Sequence, residues 1–384
     1  MKTGRTVFGA WLGSSVCTAS TIAIVTMLAS GTLAQSQMTT GAPSIPLRPQ
    51  ALANGVASRI TYQYNTEFVT IGAAGNAMWN PPPQFSDQMR GYGAVNYEYR
   101  LGRTEITTSQ WVAFLNAALA RPSTDRIPWI TVPSFLAARN DPTYSGPGRR
   151  FQVIPGRENY GVGDISWRAA AIYCNWLHND QQTSRVSFLN GSYDVSTFGA
   201  NGNVFQDQAT HNADARFWIP TFSESMKAGY YDPNKGGPGQ GGYWRYQNGT
   251  NTAPVYAGPM DGGGANAGFN TTSTGVDALS IPLMSYVNTQ SPWGVMDLAG
   301  ATEEWTERIY TNTSSGYRER ATLGSGWASS VDGFTDSLGL GVGSGYPTDE
   351  GYFNGFRIAA SVPTPGVGAV IFTMLGGMAI RRRR

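Results

Sequence analysis

A loop-rich globular domain mixing short strands with a few helices is what this sequence predicts, on three observations. Glycine (48) and proline (22) are abundant while charged residues make up only 14% and aromatics 12%. Such a chain has too much apolar anchorage to be disordered and too many breakers to be a coiled coil. Strand-like runs such as Phe68–Ile71 give way to glycine- and proline-rich loops, and two stretches carry helical stripes opened by capping residues. The length of 384 residues admits two domains. Large irregular single domains also reach that length, so pattern must decide, and no internal repeat is visible.

Residues 1–34 read as a secretory signal. Lys2 and Arg5 precede an apolar core from Ile22 to Ala29, and Gly31-Thr32-Leu33-Ala34 stands before Gln35, so cleavage is expected after Ala34. An uncleaved anchor is the alternative. Residues 35–57, with Pro43, Pro46 and Pro49, read as a linker to a domain spanning 58–360. After the Gly72–Gln84 loop, Val95–Leu101 alternates like a strand. Thr107-x-x-Gln110 is a capping box, and Trp111, Phe114, Leu115, Ala118 and Leu119 recur at helical spacing behind it. Glu105, at the corner between the two, is expected to orient that corner.

Ser166 caps a second helix whose Ile172, Tyr173, Trp176 and Leu177 form a buried stripe. Cys174 on that helix reads as a small buried hydrophobe, and His178 closes it, where an imidazole meets the helix dipole. His211 sits among polar loop residues. From Asp232 to Gly275 the chain is one long loop region containing Tyr243-Trp244-Arg245-Tyr246, which either fills the core or stacks on sugar rings.

The formal charge of +2 misleads, because Lys2, Arg5 and Arg381–Arg384 lie in terminal segments without acids. Without those six, 21 bases face 25 acids, and nothing offers the basic face that nucleic acid requires. Beyond Cys17 in the leader, Cys174 is the sole cysteine, so the mature chain forms no internal disulfide. Export remains compatible with that.

The stretch Ser291–Glu307, SPWGVMDLAGATEEWTE, packs two tryptophans, a glycine turn and four carboxylates into one run. Asp297, Gly300 and Glu304 stand at i, i+3 and i+7, a spacing in which backbone carbonyls and carboxylates can gather around a hard cation such as calcium. The alternative is an aromatic-anchored turn, with Trp293 and Trp305 in the core and the acids solvated.

This stretch resembles the signature of the formylglycine-generating enzyme, or sulfatase-modifying factor, family. Trp293–Gly300 follows the family pattern, while Ala301–Trp305 keeps only the Glu and the last Trp of N-V-W-E-W. Four further elements are similar in order: Tyr99–Ala117, Ser166–Leu177, Phe217–Ala228 (a proline-initiated helix with Thr221 near its cap), and Gly324–Trp327 with a closing strand Gly355–Ala359. The resemblance implies an α+β fold, a loop-rich mixed sheet with helices related to C-type lectin-like folds. It implies calcium held by the side chains of Asp297 and Glu304 and the carbonyls of Gly300 and Thr302. A second site falls on Asn266, the carbonyl of Ala267, Asp277 and the carbonyl of Leu279.

The family's oxidase chemistry uses two cysteine thiolates that bind copper, and soft Cu(I) selects sulfur. Those positions fall on Ser329 and Phe334 here, so copper is not expected. Relatives that hold iron through three histidines have no counterpart in a chain with only His178 and His211, although a two-His-one-carboxylate site stays formally open. No G-x-S-x-G elbow surrounds Ser329.

The tail, Val362-Pro363-Thr364-Pro365-Gly366, an apolar run through Ile380 and then Arg381–Arg384, resembles the PEP-CTERM sorting signal, with Thr364 where that motif has Glu. Residues 366–380 are short for a permanent span, and the arginines would hold the end on the cytoplasmic side. The resemblance implies export through an exosortase-type machinery, with transient inner-membrane anchoring before release to the periplasm, outer surface or extracellular matrix. A plain C-terminal anchor is the alternative. Two functions follow: a catalytically inert module binding extracellular polysaccharide or another glycan, or an enzyme of altered, metal-dependent chemistry in the same cleft, using His178 or His211 with an acid.

Overall fold

The computed structural model describes residues 60–81, 88–267, 281–313, 316–326, 336–339, 342–351 and 354–363. Residues 1–57, where a leader and linker are expected, and residues 364–384 of the expected sorting segment lie outside them. Among the described residues no helix is long and apolar enough to cross a membrane.

In chain order the elements that matter here are β1 (Ile60–Gln63), β2 (Thr66–Ile71), β3 (Tyr99–Gly102), α1 (Thr108–Leu119), α2 (Trp167–His178), β4 (Phe217–Trp218), α3 (Phe222–Tyr230), β5 (Glu303–Thr311), β6 (Arg318–Leu323), β7 (Val342–Gly345), β8 (Asn354–Gly355) and β9 (Ala359–Ala360). Two sheets organise them. An antiparallel sheet runs in the order β1-β2-β3-β9-β4, and a second runs β7-β6-β5-β8, with β8 parallel to β5. This is the α+β, few-helix architecture expected.

The helices begin where local chemistry places them. Thr107 accepts from the Gln110 N–H at 3.2 Å while the Gln110 side chain takes the Thr107 N–H at 2.8 Å, closing the capping box of α1. Thr221 and Glu224 repeat the device at α3. Ser166 caps α2 alone. Trp111 and Phe114 of α1 pack on Tyr173 of α2, with ring centroids 5.6 and 5.3 Å apart, and Phe356 meets Trp111 and Tyr173 edge-on. Cys174 is wholly buried in this layer, as its position on the stripe predicts.

Two expected strands are shorter than their patterns. Val95–Leu101 pairs only from Tyr99, because the Val95 backbone is already engaged: its N–H goes to Asn76 Oδ1 and its carbonyl accepts from Gly75. The closing strand Gly355–Ala359 is two strands in different sheets. Gly355 pairs beside Glu304 in β5, whereas Ala359 lies between Leu101 of β3 and Trp218 of β4, leaving Phe356-Arg357-Ile358 to cross between sheets.

The capping box at α1 is local and separable from the core. Thr107→Ala is expected to lower unfolding free energy by about 1 kcal/mol, read as a shift in urea midpoint with unchanged slope. An unchanged midpoint would show that tertiary packing alone holds the helix start.

Candidate functional site

The Ser291–Glu307 stretch folds as a tight, strained turn leading into β5. Ser291 Oγ accepts from the Trp293 and Val295 N–H groups, and Asp297, Gly300 and Ala301 all have positive φ, of 55°, 86° and 50°. Gly300 is required on two counts: its φ is left-handed, and a Cβ there would come within 2.0 Å of Asn266 Oδ1. Trp293 and Trp305 are buried as expected, but so are Glu304 and Glu307, and Asp297 and Glu303 are half-buried.

Glu304 and Arg357 are both buried, and the guanidinium grips both carboxylate oxygens through Nε and Nη2. Its remaining donor capacity goes to backbone. Nη1 reaches the carbonyls of Gly102 (3.0 Å) and Arg103 (3.2 Å), and Nη2 also reaches those of Met296 (3.1 Å) and Asp297 (3.2 Å). Asp297 Oδ2 accepts the Met284 N–H at 2.8 Å, and Glu105 Oε1 accepts the Thr302 N–H at 3.1 Å. Glu105 therefore holds the 302 turn rather than its own corner. Its Oε2 and the Thr302 hydroxyl are buried without a hydrogen-bond partner among the described residues.

Four groups, three acidic and one basic, share this interior. Burial and the neighbouring Glu304 push the Glu105 carboxyl well up, and burial lifts Asp297 to about 6. Burial pushes Glu304 up as well and Arg357 pulls it back, as a bidentate pair must.

These residues fit a guanidinium better than a calcium ion. Both Glu304 oxygens are taken, and the positive charge that would balance the acids is Arg357 itself. Asn266 and Ala267 are brought against the same turn, Asn266 Oδ1 accepting the Ala301 N–H at 2.7 Å while Ser325 Oγ accepts that of Gly300 at 2.9 Å. Asp277 and Leu279 lie outside the described residues, as do Ser329 and Phe334.

The two histidines go to different places. Burial lowers the His178 pKa, and its Nδ1 accepts the Arg216 N–H at 3.2 Å, so it serves as a neutral acceptor rather than a charged helix end. His211 stacks on Trp218 (centroids 4.6 Å, 18° between planes), and its Nδ1 lies 2.9 Å from Glu307 Oε1. The same oxygen accepts from the His211 N–H (2.7 Å) and the Tyr193 hydroxyl (2.6 Å). Burial opposes the charged imidazole, but the Glu307 bond and charge outweigh it, and His211 titrates above its ordinary value. Glu307, itself buried, also walls a cavity of about 310 Å³ with Tyr92, Thr210, Thr221, Ser223 and Arg308.

Sequence reading left the acid partner of His211 unassigned; it is the last residue of the signature stretch. The available signal was a glutamate two places after a core tryptophan on a strand. Tyr243 and Tyr246 fill gaps instead of forming a platform: the Tyr243 hydroxyl donates to the Ala77 carbonyl, and Tyr246 is buried.

One antiparallel and one mixed sheet, joined by a buried arginine, define an α+β domain of the sulfatase-modifying type. The chain matches the sulfatase-modifying factor enzyme 1-like domain over residues 75–362 and belongs to that family. Solved structures similar to it include CarF (18% identity, 78% of this chain and 99% of that one, TM-score 0.48), Treponema denticola variable protein 1 (17%, 80% and 100%, 0.43) and PvdO from Pseudomonas aeruginosa (15%, 79% and 98%, 0.43). A search of curated proteins found no match.

Arg357→Met would strand the Glu304 charge in the interior and is expected to cost about 3–5 kcal/mol, part of which Glu304→Gln in the same chain should restore; a single-variant loss below 1 kcal/mol in urea unfolding would dismiss the hub. Glu105 supplies a pH test. A carboxyl whose pKa is raised by folding binds its proton more tightly in the native state, so its contribution is full below the unfolded value of about 4.3 and falls as pH rises above it. Glu105→Gln should flatten that fall, and an unaltered pH–stability slope would place the proton elsewhere.

Proposed function

We propose that this protein is an exported member of the family that no longer generates formylglycine and acts as a binding module at the cell surface or in the extracellular matrix. The observation that carries this reading is the sulfur inventory. The leader aside, Cys174 is the sole cysteine, buried inside α2 with its thiol pushed well up by burial, while Ser329 and Phe334 stand at the expected cysteine positions. A copper-bound thiolate pair has no source in such a chain. The sorting-signal-like tail supports export through an exosortase-type partner, and extracellular polysaccharide is the ligand class this favours. Structural calcium is proposed at Asn266, Ala267, Asp277 and Leu279 rather than at Glu304, both of whose oxygens are held by Arg357.

A second reading, an enzyme of altered chemistry, is favoured by one observation, the His211–Glu307 pair beside the 310 Å³ cavity. A carboxylate holding Nδ1 fixes the imidazole tautomer and leaves Nε2 for proton transfer. His178, turned to Arg216, adds no second ligand to it.

Purified residues 35–360 should be retained on the source organism's own extracellular polysaccharide, and a chelator should reduce retention if calcium orders the Asn266 loop. Absence of retention in both conditions would reject the binding reading. Proton NMR of His211 separates the second reading: it should titrate above about 6.5 and fall below that value in Glu307→Gln, where burial is no longer outweighed. A value already ordinary in the parent chain would dissolve the pair.

A further inference from the structure

A cavity lies away from the residues discussed so far, at the C-terminal end of α1. It encloses about 720 Å³, within the size range of small-molecule sites. Its walls come from the end of α1, the segment that follows it to Val132, and the loop Pro147–Arg149. That loop is strapped to the helix end: the Arg149 N–H donates to the Leu119 carbonyl at 3.0 Å, satisfying an acceptor that α1 leaves open. Gly148, at φ 80°, is what permits the approach, since a Cβ would fall 2.0 Å from that carbonyl. The cavity is therefore bounded by fixed backbone.

Three arginines line it, Arg121, Arg126 and Arg149, and no carboxylate does. Arg121 is buried and held, with Nη1 on Asp125 at 2.8 Å, Nη2 on the carbonyls of Ala117 and Thr183, and its guanidinium over the Phe188 ring. Arg149 lies over Phe151 and makes one long bond, 3.3 Å, to Asn140. Arg126 has no hydrogen bond or ion pair among the described residues and is exposed. The nearest acids are already engaged: Asp125 by Arg121 and, at 3.9 Å, Arg185, and Glu350 by the Thr131 hydroxyl. Between the arginines the wall is apolar, formed by Leu119, Pro122, Ile130, Val132 and Pro147.

We propose that this cavity binds a small organic carboxylate with an apolar body, its charge at Arg126 and Arg149 and its body against Leu119, Ile130 and Val132. Arg121, held through Nη1 and Nη2, fixes the floor and contributes long-range charge. Arginine suits the role because its planar fork takes a carboxylate through two parallel bonds. The apolar wall without an aromatic face selects against a free sugar, whose hydroxyls it would leave unpaired. This site is independent of the polysaccharide and His211 readings.

Calorimetric titration of the purified 35–360 protein with octanoate, acetate, glucuronate and octylammonium tests it. Octanoate should bind saturably at one per chain, acetate and glucuronate at least tenfold more weakly, and octylammonium not measurably. Arg126→Ala with Arg149→Ala should weaken octanoate at least tenfold while the melting temperature stays within about 2 °C of the parent, both side chains being exposed. Octylammonium binding as tight as octanoate would reduce the cavity to a non-selective apolar surface. Glucuronate binding as tight would overturn the apolar-body assignment. An unchanged octanoate affinity in the double variant, or no octanoate binding at all, would overturn the site.

Discussion

The Arg357 guanidinium is the contact on which the closing of this fold depends. The chain must leave one sheet at Gly355 and enter the other at Ala359, and the three residues between have no strand partner. Backbone crossing an interior without a ladder leaves polar groups to satisfy. Arg357 turns that difficulty into a joint: it takes carbonyls from the end of β3 and from the 296–297 turn, and the carboxylate of Glu304 in β5. The Phe356 and Ile358 carbonyls meet the N–H groups of Ile106 and Gly102, so the crossover is closed on both sides. A charge pair alone in such a place is weak evidence of stability; four backbone carbonyls on the same guanidinium make this one a structural joint.

What was legible in the sequence was what local chemistry decides. The capping box at Thr107, the N-caps at Ser166 and Thr221 and the apolar stripes of α1 and α2 are properties of neighbouring residues, and they were found where the pattern puts them. The contacts that define the candidate site join residues far apart. Glu304 and Arg357 are separated by 53 positions and Glu105 and Thr302 by 197, and no periodicity reports such pairs. The same limit explains the shortened strand at Val95: alternation describes which faces are apolar, whereas pairing needs a free backbone, and Asn76 had taken it.

The acids of the signature stretch have partners that their spacing does not report. Read along the sequence, Asp297 and Glu304 look like two arms of one cation site. In space each is spent on a different neighbour, Asp297 on a backbone N–H and Glu304 on a guanidinium, and the cation in their midst belongs to the chain. Burial and the Glu304 charge together push the Glu105 carboxyl well above the ordinary carboxylate range, which favours its neutral form beside that pair. A site that carries its own cation gains rigidity, and its carboxylates are committed to holding it.

Strand β5 separates the structural acids from the chemically available one by a change of register. Its pairing with β6 is regular at Glu304 and Trp305 and resumes only at Ile309, so Glu307 sits within an irregularity of the ladder. Its N–H goes to the Pro220 carbonyl, and its own carbonyl accepts from Arg320 at 2.6 Å, neither being a ladder bond. Bulges of this kind re-aim side chains and are common beside functional sites. Here the irregularity delivers a buried carboxylate to the His211 ring and to a cavity wall, three residues from a glutamate sealed by arginine. One strand thus supports the fold through Glu304 and holds the partly exposed His211 through Glu307, and that division lets the two proposed readings be tested separately in a single chain.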